Sequence, residues 1–163
     1  MSTSADQLMR DLGQNIGVGD ALQFNSQRCA RLLVGEHLAV DFEHVADDEL
    51  LQMYSVLGSP PVEGREQFYR DLLSANLFGH ATQGGVLAWD PAFNQVLLTR
   101  TLELENAASP KFLAMVESFV NAAEYWKKRI AEFAPDVIET SSAKADPNAL
   151  TVSPFATQMM MRV

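Results

Sequence analysis

At 163 residues and 47% hydrophobic, with no apolar run approaching the roughly eighteen residues of a membrane span, the chain is expected to form one globular domain with a real core. Twelve Lys and Arg against twenty-one Asp and Glu leave a formal charge of −9, which argues against nucleic acid as a partner because phosphate binding needs a basic face. A single cysteine, Cys29, can make neither an internal disulfide nor a multi-cysteine metal site, and the N-terminal residues lack the basic and apolar regions of a secretory signal, so a cytoplasmic protein is expected.

Ser4 caps a first helix in which Leu8, Leu12 and Ile16 recur every four residues, loosened and ended by Gly13, Gly17 and Gly19. Three strand-like runs follow: ALQFN at 21–25, RCARLLV at 28–34 and HLAVDFEHV at 37–45. In the last, Leu38, Val40 and Phe42 alternate with Ala39, Asp41 and Glu43, the pattern of a strand with one buried and one wet face. Gly35-Glu36 reads as the tight turn of a hairpin. The run LLQMYSVLG at 50–58 fits helix or strand by periodicity, and Gly58, Pro60 and Pro61 favour strand by closing it after nine residues.

A second helix is predicted from about Arg65 to Phe78, with Phe68, Leu72, Ala75 and Phe78 on one stripe that Tyr69, Leu73, Asn76 and Leu77 widen. After Gly79 and Gly84-Gly85 come VLAWD at 86–90, a turn through Asp90-Pro91-Ala92-Phe93-Asn94, and QVLLTRTLELE at 95–105. Ser109-Pro110 reads as an N-cap with proline at the first helical position. It opens the longest helix, whose seam is Phe112, Val116, Phe119, Ala123, Trp126, Ile130 and Phe133. Beyond Ala134 periodicity lapses, and residues 134–163 read as a flexible C-terminal tail behind a domain at 1–133. The main elements therefore run helix, three strands, helix, two strands, helix: an α+β fold with a twisted, mainly antiparallel sheet and helices packed on it.

Chemistry is sparse. His37, His44 and His80 lack zinc-ligand spacing, GVG at 17–19 lacks the third glycine of a dinucleotide fingerprint and follows a helix, and no G-x-S-x-G occurs. Asp47-Asp48-Glu49, with Asp41 and Glu43, reads as a solvated loop and strand face. Cys29 in an alternating strand reads as a small buried hydrophobe. No catalytic constellation, metal site or cofactor site is expected; a small enzyme or ligand-binding domain built on Asp41, Glu43 and His44 stays open as an alternative. More notable is the number of apolar helix faces. DLLSANLFG at 71–79 carries more apolar surface than a small core needs, and either core or partner contact accounts for it.

Four stretches carry a resemblance: LMRDLGQNIGVGDALQFNSQRCARLLVGEHLAVDFE, QMYSVLGSPP, LLSANLFGHATQGGVLAWDPAFNQVLLTRTLEL and FVNAAEYW. Their order and spacing resemble the Tir-chaperone (CesT) family of class I type III secretion chaperones over about residues 5–133, above all Leu72-Leu73-x-Ala75-Asn76-Leu77-x-Gly79 followed by a strand pair. The resemblance implies a cytoplasmic homodimer with no enzymatic activity. Its partners would be the N-terminal segment of a secreted effector, held extended, and then the secretion machinery, with the secretion ATPase as a candidate receiver. Grooves would take apolar effector side chains, and pairing at a sheet edge would add affinity. Carried over by position, Leu8, Leu12, Ile16, Leu22, Phe24, Cys29 and Leu33 become candidates for effector binding. Phe68, Leu72, Leu77, Phe78, Trp89 and Leu98 become candidates for the dimer interface. Each of these is as compatible with plain core as with contact surface. A regulatory dimer that sequesters a transcriptional regulator would use the same surfaces.

Overall fold

A computed structural model describes residues 4–45, 49–105, 107–133 and 150–152. Helix α1 spans Ala5–Asn15, and the Ser4 hydroxyl accepts a hydrogen bond from the Gln7 amide at 3.2 Å, as its N-cap position predicts. Strands β1 (Cys29–Val34), β2 (Leu38–Val45) and β3 (Leu50–Gly58) follow as an antiparallel meander. Helix α2 (Arg65–Ala75) then leads to the hairpin β4 (Val86–Asp90) and β5 (Gln95–Glu103), and α3 runs Ser109–Phe133. Residues Leu150–Val152 add a short strand, β6. The sheet order is β4-β5-β3-β2-β1-β6, antiparallel throughout except for β6, which lies parallel to β1. The fold class is the α+β arrangement the element order predicts.

Two expectations are corrected. ALQFN is not a strand: Gly19–Ala21 form a 3-10 turn and the chain runs irregularly to Arg28. Leu22 from this stretch turns into the core, and what looked like alternation is one anchor in a loop. Helix α2 stops at Ala75 rather than Phe78, and the chain passes into a 3-10 turn at Leu77–Gly79 in which Phe78 takes a left-handed backbone (φ 58°, ψ 7°). Ser109 also departs from its expected role, its hydroxyl donating to Asp11 of α1 and tying the start of α3 to the first helix. Asp47 and Asp48 fall outside the described residues, as does the predicted tail except for β6.

The core lies on one face of the sheet. Ala30, Leu32 and Val34 of β1, Leu38, Val40 and Phe42 of β2, Leu51 and Met53 of β3, and Val96 and Leu98 of β5 point into it. Against them pack Phe112, Val116, Phe119, Ala123, Trp126 and Ile130, the predicted seam of α3, together with Leu8 and Leu12 of α1 and Phe68 of α2. Odd-numbered residues of β1 point to the other face and are half-buried there. Gly13 lets α1 close on the following loop: a Cβ there would collide with the Gly19 carbonyl oxygen.

Candidate functional site

Two surfaces stand out once the core is assigned. The first is built by α2, the turn after it and β4. Asn76 ends the helix by engaging β4: its Nδ2 donates to the Leu87 carbonyl at 3.0 Å and its Oδ1 accepts from the Leu87 amide at 2.8 Å. One side chain thus stands in for a neighbouring strand at the edge of the sheet. Behind it, buried Thr82 donates to the Gly85 carbonyl at 2.6 Å, Arg100 to the Gln83 carbonyl at 2.8 Å, and Trp126 of α3 to the Ala81 carbonyl at 2.9 Å. Gly85 is fixed as glycine, since a Cβ would stand 2.9 Å from Leu98 Cδ1 and 3.1 Å from the Thr99 carbonyl oxygen.

That braced loop holds Phe78 84% exposed and Leu77 64% exposed. Left-handed backbone at a phenylalanine costs on the order of 1–3 kcal/mol and persists only where the surroundings over-determine it. Leu73, Val86, Trp89 and Phe93 extend the exposed apolar set over α2, β4 and the hairpin turn. Trp89 leans on Tyr69 of α2, ring centroids 5.8 Å apart, and donates to Asn94 Oδ1 at 3.3 Å. Of the predicted interface residues, Leu77, Phe78 and Trp89 are therefore exposed. Phe68, Leu72 and Leu98 are not: they are buried in the chain's own core and offer no surface to a partner. Val86 and Phe93 were missed, although the alternation of VLAWD could have flagged Val86 once β4 is known to be an edge strand.

The second surface is the start of β1 and the open face of the sheet beside it. Arg28, with a left-handed backbone (φ 61°), reaches back to α1 and donates to both carboxylate oxygens of Asp6 at 2.8 and 3.0 Å. Its guanidinium lies 4.6 Å from the centre of the half-buried Phe24 ring, and its Nε donates to His44 Nδ1 at 3.1 Å. The bond from Arg28 holds the Asp6 carboxyl below the ordinary range. Burial, then the Arg28 charge, pushes His44 down and favours the neutral ring that accepts this bond.

On the open face Arg31 pairs with Asp41 at 2.6 Å, and Asn25, Gln27, Cys29 and Tyr54 complete a concavity of about 180 Å³. Leu33 continues the same face along β1, half-buried. Burial first, then Glu43 and Asp41, push the Cys29 thiol up, so it stays protonated near neutral pH and is a poor nucleophile. Burial first, then Asp41, raises the Tyr54 hydroxyl likewise. Of the predicted effector-binding residues, Cys29 and Leu33 reach the open face, while Phe24 is half-buried on the other side, its ring 6.0 Å from that of His44. Leu8, Leu12, Ile16 and Leu22 are core, no more than 6% exposed, and support α1 from beneath. The alternative site dissolves geometrically: Asp41 and Glu43 point to the open face while His44, one position further along β2, points to the other. Among the described residues no three of His, Cys, Asp and Glu gather closely enough to hold a metal ion, and no helix is long and apolar enough to cross a membrane. The geometry offers apolar and hydrogen-bonding contact surface.

Comparison with known proteins agrees with this shape. The Chlamydia pneumoniae protein CPj0713/CpB0740 is 26% identical over 121 residues, covering 74% of this chain and 92% of that protein. Among solved structures, a chain of the ExsC-ExsE complex superposes with a TM-score of 0.65 at 21% identity, covering 80% of this chain and 97% of that one. A chain of the HopA1-SchA chaperone-effector complex gives 0.62 at 15% identity, covering 74% and 91%. A chain of the ExoU-SpcU complex from the type III secretion system of Pseudomonas aeruginosa gives 0.59 at 15%, covering 82% and 99%. These likenesses establish the fold. The sequence profile of the Tir chaperone protein (CesT) family matches residues 7–127, and the chain belongs to that family.

Proposed function

We propose that the chain is a type III secretion chaperone that acts as a cytoplasmic homodimer, binds the N-terminal segment of a secreted effector, keeps it extended and delivers it to the secretion apparatus without catalysis. The observation that carries this reading is the Leu77-Phe78 face: a member of a chaperone family builds a braced loop whose main product is exposed apolar surface. In an isologous two-fold contact, Leu73, Leu77, Phe78, Val86, Trp89 and Phe93 meet their counterparts on a second copy. The effector segment lies over Cys29 and Leu33 and rounds the start of β1 to reach Phe24, with Leu8, Leu12, Ile16 and Leu22 in the core beneath. Residues 1–133 form the chaperone domain and 134–163 an appended tail; the secretion ATPase is the candidate receiver.

Binding an extended segment needs no ATP, because a segment that orders on binding buries on the order of 1,000–3,000 Å² against its own ordering entropy. The solved chaperone-effector complex among the structural neighbours supports the choice of partner. The test is to tag the chain in its native host, recover what co-purifies, and trim the complex with protease. One secreted protein protected over its N-terminal region is the expected result. A transcriptional regulator recovered instead would transfer the same surfaces to the regulatory reading, and no protein partner at all would overturn both.

A further inference from the structure

Strand β6 lies outside the residues that match the family profile, and among the described strands it alone breaks the antiparallel order. It sits on the outer edge of β1, pairing Leu32 with Leu150, Leu33 with Thr151 and Val34 with Val152. Without it β1 would end the sheet, its outward amides and carbonyls open to any extended chain. That edge adjoins the surface of Cys29 and Leu33 on which the proposed function places the client. Three residues of parallel pairing make a weak ladder, less stable per residue than antiparallel pairing. In the sequence Pro147 and Pro154 bracket it, and neither has an amide to offer a ladder.

We infer that Leu150–Val152 is a built-in placeholder, a segment of the chain's own tail that occupies the β1 edge and is displaced when an extended peptide strand of the partner pairs there. The inference rests on the chaperone reading for the partner's identity, though its geometry does not. A partner that must displace β6 binds with an apparent affinity reduced by the fraction of molecules whose edge is open. Occupancy by β6 also protects the edge from pairing between copies before a client arrives.

The test compares the full chain with its Val152→Pro variant: even-numbered residues of β1 bond β2 and Leu33 faces β6, so the Val152 amide is the one that donates to the Leu33 carbonyl, and proline removes it. The probe is a labelled peptide of residues 147–154, PNALTVSP, supplied in trans and followed by fluorescence polarisation. The variant is expected to bind the peptide about tenfold or more tightly than the parent chain. Its Leu33 amide, the one within Leu32–Val34 that faces β6, is expected to exchange hydrogen faster without peptide and to slow again when it is added. Equal affinity in the two proteins, no binding to either, or unchanged exchange at Leu33 would overturn the placeholder. Capture of the native client is read separately: its absence from both proteins bears on the chaperone reading, and the peptide result stands independently.

Discussion

Asn76 is the residue on which the presented surface turns, because both ends of its amide are committed to the Leu87 backbone. Asn76→Ala leaves that amide and carbonyl without their partner at the sheet edge, at a cost of about 1–3 kcal/mol. A urea titration of the variant should show a lower midpoint, its shift multiplied by the m-value matching that loss, whereas an unchanged midpoint would remove Asn76 from its bracing role. Gly13→Ala should also destabilise, since the new Cβ meets the Gly19 carbonyl, a backbone atom that moves only with the loop. The clasp at Arg28 predicts a pH dependence. His44 has its folded pKa depressed, by burial first and then by Arg28, with Asp6 and Glu49 pulling weakly the other way. Its contribution is therefore complete above the unfolded value near 6.5 and declines as pH falls through and below that point. Asp6 is also depressed, chiefly by the bond from Arg28, so its contribution is lost only as pH drops below about 3.8. His44→Gln should flatten the upper of these two declines in thermal melts between pH 7 and 5. Residue roles were the least legible part of the sequence. Spacing marks Leu12 and Leu77 equally as apolar helix positions, yet one is fully buried and the other 64% exposed, a difference set by what packs over each from distant chain. Leu12→Asp should accordingly unfold the chain rather than report on a groove.

The elements with strong local signals were legible. The Ser4 cap, the four-residue stripe of α1 and the seam of α3 appear where the spacing puts them, and the turn after Asp90 forms with its carboxylate accepting from the Ala92 amide at 2.8 Å. The end of α2 was not legible, because what stops it is a side-chain bridge from Asn76 to a residue eleven positions away. ALQFN misled for the opposite reason, its alternation having no neighbouring strand to pair with. At this scale the interface is testable. Leu77 and Phe78 make little contact within the chain, so Leu77→Asp and Phe78→Asp should leave its melting behaviour intact while preventing association. Each buried apolar side chain is worth about 1.5–3 kcal/mol to the contact, and a charge in its place reverses the sign. A fully dimeric Phe78→Asp protein would dismiss this face.

For the molecule as a whole, the sequence conveyed the fold class and the family, since both rest on the order of many elements rather than on any one side chain. What it could not convey was the edge: β6 depends on a three-residue pairing across more than a hundred positions, for which LTV alone carries no signal. The resulting picture is a one-sided core, an exposed apolar face at one end of the sheet and a contact surface with its adjoining edge at the other. With a body this acidic, a client segment that is neutral or basic is favoured by charge, and moderate salt should slow its capture more than it speeds its release. The central claim is that two such chains join through α2 and β4 and carry one extended client. Light scattering on the complex purified from the native host tests it most directly. The account predicts a mass equal to two copies of the chain plus one client, and two copies alone once the client is stripped. A single copy, with or without a bound partner, would contradict it.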